Sequence, residues 1–379
     1  MAAARIRGRG AGSGRSSASE GPGTVSDGPA GSAELPSGGK HSVLTYGPEY
    51  PVKTMRVRTT DGQLTFSFAG DLLFDPSYAA GNAILSRGIE GSFAPEALSA
   101  MRGSDIFLVN NEFTYTTSGR RNNKTFTFRT NPSNAALLNE MGVDLVTLGN
   151  NHTYDFMEQG LLDTLSSLDA VGIPYIGAGR NIAEASAPIY IDADGMIIAV
   201  VNATEIEHSM SPYTRGATEN SPGVFACYDP ALLYEAVRAA NEKADLVIAV
   251  MHWGIEGQNT IDNRQPAIAR ALVDAGADLI IGGHSHCLQT VDFVDDVPVF
   301  YSLGNFLFVS KDVNTGIARV TIDTEKKELG SVQFLPYLQA GCRVTCPDAA
   351  GQARILEFLR SFSPNVLIDE NGFISKKGS

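Results

Sequence analysis

Five short stretches of the chain gather residue types that do chemistry. They are FAGD with Asp71, VNNE with Glu112, GNNHTYD with Asn151, His152 and Asp155, MHWG with His252, and GGHSH with His284 and His286. A turn after an apolar run would use the asparagines of GNNHTYD, but it has no need of the His and the Asp. Asp71, Glu112, Asn151, His252, His284 and His286 make a mixed oxygen and nitrogen donor set, which suits divalent Mn, Fe or Zn. The lack of a thiolate among them speaks against a structural zinc site. Two histidines one residue apart, after a Gly-Gly pair, can address two adjacent metals, because glycine lets the backbone approach closely.

Each residue also has a plainer reading. Asn150 and Asn151 alone would pass for turn residues with positive φ, and a single His at a strand end is more often a satisfied surface group than a ligand. Three ligand-type histidines at strand tips, out of six in the chain, make coincidence a poor account. His41 and His208 carry no such pattern. Asn305 in SLGNF reads as a brace for the last strand or a substrate contact, and Trp253 as packing at the rim or a stacking surface for substrate. Lys124 and Arg129, in NNKTFTFRTNP, read either as solvated hairpin charges or as contacts to a substrate anion.

The elements that must position these residues are legible in the same way. LTFSFAG, DIFLVN, DLVTLG, MIIAVVNA, DLVIAVM, DLIIGG and VPVFYSLG are apolar runs of strand length. Between them lie helical segments such as NPSNAALLNEMG, FMEQGLLDTLSSLDAVG, DPALLYEAVRAANEKA and RQPAIARALVDAG, with Pro near several starts and Gly near several ends. Continuous apolar strands covered by helices imply an α/β fold. Four of the strands open with Asp and an aliphatic residue: Asp105-Ile106, Asp144-Leu145, Asp245-Leu246 and Asp278-Leu279. Each delivers Glu112, Asn151, His252 or His284 six or seven residues after that Asp. This spacing is a strand of about 20 Å with a polar group at its carboxyl end, where open α/β sheets bind their ligands.

Composition limits the alternatives. The 379-residue chain is 43% hydrophobic and has a formal net charge of −13, the wrong sign for a general nucleic-acid binder. An acidic protein that handles anions needs metals or a few placed cations. No run approaches the roughly 18 apolar residues of a membrane span, and the basic start MAAARIRGRG leads into Gly and Ser instead of the apolar segment of a signal peptide. Residues 1–45 read as a disordered Gly/Ser-rich tether, residues 55–345 as the folded domain, and residues 346–379 as a C-terminal helix and polar tail. Cys342 and Cys346, in CRVTC, fit neither a zinc ribbon nor a redox motif, and ordinary thiols are favoured over a local disulfide.

The strand tips resemble those of the calcineurin-like metallophosphoesterase superfamily, in which ligands leave successive strands as an Asp, a second acidic group, GNH, a lone His and GHxH. The closer resemblance is to the CapA family of capsule or poly-γ-glutamate synthesis proteins. AGD, NNE, LGNNHTYDFMEQGLLDTL, GIPYIGAG, HWG, GADLIIGGHSH and VFYSLGNFLF carry it, in family order, from about residue 64 to residue 310. The resemblance implies a two-sheet α/β sandwich flanked by helices, with a dinuclear metal site. By its implication Asp71 binds the first metal, with Glu112 bridging the pair or beside it. Asn151, His252 and His284 hold the second metal, and His286 returns to the first. His152 is then the catalytic imidazole, and Asp155 sets its tautomer.

Two departures bear on this carry-over. Leu73 stands where many superfamily members have a His, and Glu112 replaces an Asp pair, so the first site is short of ligands; Asp75 is a candidate compensator or a turn residue before Pro76. The biology implied is the making, anchoring or export of an anionic surface polymer such as poly-γ-glutamate, at the cell surface. The protein would act as a metal-dependent hydrolase or as a polyanion-binding subunit of a membrane synthase or exporter.

Overall fold

The computed structural model describes residues 42–45, 53–206 and 214–378 of the chain. His41, His208 and most of the expected tether lie outside them. Two large sheets face each other. In one, the strands run in the order Ser42–Thr45, Lys53–Val57, Ile189–Ala193, Met196–Thr204, Leu246–Trp253, Leu279–His284, Val297–Phe300, Val291–Val294. The other is built around Gln63–Leu72, which pairs in parallel with Ile106–Asn111 and antiparallel with Val313–Asp323. Ile106–Asn111 continues in parallel to Leu145–Thr147, and that strand to Tyr175–Ile176.

The central parallel strands have no polar face, as their sequences imply. Every residue of Ile106–Asn111, Leu246–Trp253 and Leu279–His284 is buried. Between the sheets, Phe66, Phe68, Ile106 and Leu108 pack against Ile198, Val200, Ile248, Val250 and Ile281. Outside one sheet the helices Ala231–Asn241 and Arg264–Ala275 bury Leu233, Val237, Ile268 and Leu272 against Ala199, Val247 and Ile280. Outside the other, Met157–Val171 buries Leu161, Leu165 and Leu168 in a cluster with Phe107, Val109 and Val146. The layers are therefore helix, sheet, sheet, helix.

The recurring Asp-aliphatic unit has a structural meaning that its spacing did not reveal. Each Asp forms a two-bond ring with one residue of the neighbouring strand. Asp105 donates its N–H to the Thr65 carbonyl at 3.0 Å and accepts the Thr65 N–H on its carboxylate at 2.7 Å. Asp144 does the same with Phe107, Asp245 with Ile197 and Asp278 with Val247, each carboxylate taking its N–H at 2.9 Å. These rings pin the register at the amino ends of the strands, so that all their carboxyl ends reach one edge.

Three expectations need correction. Ser42–Thr45 does not continue a tether; it pairs antiparallel with Lys53–Val57, as its β-prone run SVLT permits. The C-terminal tail is not simply polar: after the helix Ala349–Ser361, Val366–Ile368 and Phe373–Lys376 form a hairpin joined to the long strand Glu328–Ala340. Val366, Ile368 and Ile374 are the alternate residues of that hairpin that enter the core. The run VPVFYSLG is strand only over Val297–Phe300, and a further strand follows at Asn305–Leu307. Val297–Phe300 belongs to one sheet and Asn305–Leu307 to the other, so the chain changes sheets beside the site.

Candidate metal centre

The six ligand-type residues converge where the carboxyl ends of the two sheets meet. Asp71 ends Gln63–Leu72, Glu112 follows Ile106–Asn111, Asn151 follows Leu145–Thr147, and His252 and His284 close their own strands. Strand periodicity decides what enters the cluster. His252 faces inward, while its neighbour Trp253 turns to the outer helical layer.

Two groups of donors lie within 4.8 Å of one another: Glu112 with His252 and His284, and Asp71 with Glu112 and His286. In the first, His252 Nε2 is 2.8 Å from Asn151 Oδ1 and 3.1 Å from His284 Nδ1. Two donors bound to one ion at about 2.1 Å each would stand about 3.0–3.4 Å apart, so this spacing suits a shared metal. In the second, Asp71 Oδ2 is 3.0 Å from His286 Nδ1. Glu112 lies between the two groups. Its Oε1 is buried with no hydrogen-bond partner among the described residues, yet it stands 3.8 Å from His252 Nε2 and 3.9 Å from both His152 Nε2 and His286 Nε2. A buried carboxyl oxygen ringed by imidazole nitrogens, and too far to bond any of them, fits a cation between them.

The electrostatics agree with that fit. Burial drives His252 down to about 3 and His284 well below its ordinary value, the latter helped by the charge of neighbouring imidazoles. Both rings are therefore neutral, as metal ligands must be. Burial, then the charge of Asp71, pushes Glu112 well above the usual carboxylate range. Burial also opposes ionisation of Asp71, but the hydrogen bond and charge of His286, with His252 and Asn110, hold that carboxyl low. In turn, burial is outweighed at His286 by the bond to Asp71, which raises it.

The backbone is bent to make this cluster. His284 and His286 have φ of 89° and 57°, a region that disfavours side chains and costs about 1–3 kcal/mol per residue. The glycines before them allow close approach: a Cβ at Gly282 would come within 2.0 Å of the Tyr301 carbonyl oxygen, and one at Gly283 within 3.2 Å of Asp71 Oδ1. The two asparagines do lie in a turn, but neither has positive φ, so the positive-φ reading of them does not hold. Asn150 is instead an internal brace. Its amide donates to Asn110 Oδ1 and to the Asn111 carbonyl, while its oxygen accepts the His152 N–H, each at 3.0 Å.

His152 and Asp155 pair, with His152 Nδ1 2.7 Å from Asp155 Oδ2. Burial lowers the His152 pKa despite the charge of Asp155. The Phe128 ring packs on the imidazole with centroids 4.3 Å apart.

The candidate substrate contacts fare differently. Trp253 is fully buried, stacked on Tyr301 and donating its indole N–H to the Tyr301 carbonyl at 2.8 Å; strand alternation turns it away from the cleft, so it offers no stacking surface. Arg129 holds the Ser118 carbonyl and lies 4.7 Å over the Phe156 ring. Lys124 is turned inward onto Asn151 and Asp155. Asn305 pairs in register with Asp71 and donates to the His286 carbonyl at 3.2 Å, which makes it a brace of the site. Asp75 accepts the backbone N–H groups of Ser77 and Arg129, the turn role foreseen for it. Leu73 lies in the apolar core.

Sequence reasoning passed over Asn110. Its amide donates to Asp71 Oδ1 at 2.8 Å and to Glu112 Oε2 at 3.1 Å, while its oxygen accepts from Thr147 at 3.1 Å. The available signal was period two: Asn110 and Glu112 share a strand face. Asn202 was also missed. It accepts the Gly149 N–H at 2.7 Å, which fixes the turn that carries Asn150 to His152.

Sheets and strand-end cluster together define an α/β sandwich with a candidate metal centre at the carboxyl edge of its strands. The family described as "Bacterial capsule synthesis protein PGA_cap" matches residues 65–310, and the chain belongs to that family. It is 32% identical over 260 residues to the PGA biosynthesis protein CapA of Bacillus subtilis, covering 68% of this chain and 66% of that protein. It is 36% identical over 174 residues to the capsule biosynthesis protein CapA of Bacillus anthracis, covering 45% of this chain and 41% of that one. A "Probable polyglutamine synthesis accessory protein" of Mycobacterium tuberculosis is 30% identical over 219 residues, 55% of this chain and 58% of that protein. The chain thus spans just under two thirds, or less, of the length of each of these relatives. Among solved structures, a novel phosphatase from Mycoplasma pneumoniae aligns with 78% of this chain and 96% of that one, at 16% identity and a TM-score of 0.48. That overlap is too loose to carry function across.

Proposed function

We propose that the protein is a metal-dependent hydrolase of capsule or poly-γ-glutamate biosynthesis, acting on an anionic surface polymer or a phosphoester. The observation that carries this reading is Glu112 Oε1, buried, without a hydrogen-bond partner among the described residues and surrounded by three imidazole nitrogens. Asn151, His252 and His284 would hold one divalent ion, Asp71 and His286 a second, and Glu112 would lie between them, with Mn, Fe or Zn suited to the donors. When bound, such ions supply Lewis acidity and activate water at neutral pH.

The chain's own residues would supply the rest. Asp155 accepts the proton on His152 Nδ1, leaving Nε2 to face the cleft beside Glu112. Burial keeps the ring neutral in the free protein, so His152 would take up its second proton as an anionic substrate arrives, and pass it from Nε2 to the leaving group. Asn110 would hold Asp71 and Glu112 in place from behind.

A second reading is a polyanion-binding subunit of a membrane synthase or exporter that does no hydrolysis itself. It is favoured by Leu73, buried in the core where a further ligand would otherwise stand. Among the described residues, no helix is long and apolar enough to cross a membrane. One experiment separates the readings. Protein reconstituted with Mn, Fe or Zn is assayed for metal content, for cleavage of phosphodiesters and γ-glutamyl polymer, and for polymer binding. Cleavage supports the hydrolase; binding without cleavage supports the subunit; less than about one equivalent of every metal rejects the dinuclear site.

A further inference from the structure

The segment from Asn122 to Phe128 has no regular secondary structure, yet it is fastened repeatedly to the turn that carries His152. Asn122 donates its N–H to the Asp155 carbonyl at 2.7 Å, and Phe128 donates its own to Asp155 Oδ2 at 2.8 Å. Between them, the Lys124 ammonium donates to the Asn151 carbonyl at 2.6 Å and lies 3.1 Å from Asp155 Oδ1. The Lys124 side chain is only 7% exposed and Asp155 is fully buried.

We infer that Lys124 is a positioning residue: its ammonium pairs in charge with the buried Asp155 carboxylate that orients His152, and ties it to the turn presenting Asn151. The two carboxylate oxygens have separate tasks. Oδ2 takes the imidazole and the Phe128 N–H, while Oδ1 faces the ammonium. Oδ1 is buried and makes no hydrogen bond among the described residues, so the ammonium 3.1 Å away is the charge that meets it, and Oδ2 is left to His152 Nδ1. The ammonium also compensates a buried negative charge, and removing one partner of such a pair is far more disruptive than the pair is stabilising. Lys124 therefore acts from beneath the site and does not grip the substrate. Its positioning role stands on geometry alone; only the consequence for turnover rests on the hydrolase reading.

The test has two arms. In metal-free protein, the proton shared by His152 Nδ1 and Asp155 should give a far-downfield NMR signal, assigned by its loss in His152→Gln. Lys124→Met should abolish that signal or speed its exchange with water, Lys124→Arg should keep it, and Phe126→Ala, whose residue in the same segment is 57% exposed, should leave it unchanged. If Lys124→Met does not fold by circular dichroism, Lys124→Gln takes its place. An unaltered signal in the folded variant overturns the inference. In the second arm, Mn-loaded proteins are compared on bis(p-nitrophenyl) phosphate and diphenyl phosphate. A misaligned acid should cost the poorer phenolate leaving group about tenfold more, with metal content unchanged; equal losses on both esters would count against positioning. A signal that responds as expected, in a wild type that cleaves neither ester, leaves Lys124 in its role and rejects the phosphoesterase branch of the hydrolase reading.

Discussion

At the scale of residues, the site separates groups suited to holding a metal from groups suited to moving a proton. His252→Ala should lower the metal content read by elemental analysis, because it removes the nitrogen that sits 2.8 Å from Asn151 Oδ1 and 3.1 Å from His284 Nδ1. His152→Ala should keep its metal and lose turnover by roughly 10²- to 10⁴-fold, the usual worth of a general acid. Asp155→Asn should cost less. Metal loss in His152→Ala would instead make His152 a ligand. Acid should also destabilise the metal-free protein. His152, His252 and His284 have lowered pKa values in the fold, so unfolding takes up protons as pH falls below 6.5, and stability drops with it. For His252 that window runs from 6.5 to about 3. The raised groups oppose this: His286 above 6.5, and Glu112 from its raised value down to 4.5. Three lowered imidazoles should outweigh one carboxyl below 6.5. The thermal midpoint should fall there in wild type and fall less steeply in His252→Gln; parallel curves would show that His252 is not held neutral.

At the scale of elements, the four Asp rings explain why successive strands deliver their polar tips to one edge. Each ring closes a backbone N–H and carbonyl of the neighbouring strand in the sheet, so it fixes the register at the amino ends of the strands. Asp144→Ala should leave the Phe107 N–H, taken by Asp144 at 2.9 Å, without its acceptor. Leaving a buried donor unsatisfied costs about 1–3 kcal/mol, which chemical denaturation would register, while metal content per folded molecule should not change. An unchanged midpoint would mean that water replaces the carboxylate. Repetition of Asp and an aliphatic residue was visible in the chain, and so was the distance to each tip. The ring itself was not, because it joins residues some 30 to 50 positions apart, such as Asp245 and Ile197.

At the scale of the whole molecule, the net charge of −13 sets the problem that the cluster would solve. A chain of that charge repels a polyanion over most of its surface, and long-range attraction has to come from local positive charge. If the cleft takes an anionic polymer through bound metal, stripping the protein with a chelator should abolish its binding to poly-γ-glutamate in a sedimentation or titration assay, and Mn or Zn should restore it. Binding that survives the chelator would move recognition to cationic side chains outside the cluster.

The sequence by itself determined the donor types, the strand ends that carry them and the membership of a family, because these reside in local runs and in short motifs of fixed order. It also separated His252 from the bland histidines, since apolar runs and polar tips are written in adjacent residues. Only the tertiary structure decided what each side chain meets. Asn110 became the support beneath Asp71 and Glu112, Trp253 turned into the core, and Lys124 changed from a candidate substrate contact to a buried partner of Asp155. These outcomes depend on which face of a strand, and which side of an irregular segment, is covered by elements distant in the chain. Local periodicity states that a residue has two faces to choose from; packing between the sheets makes the choice.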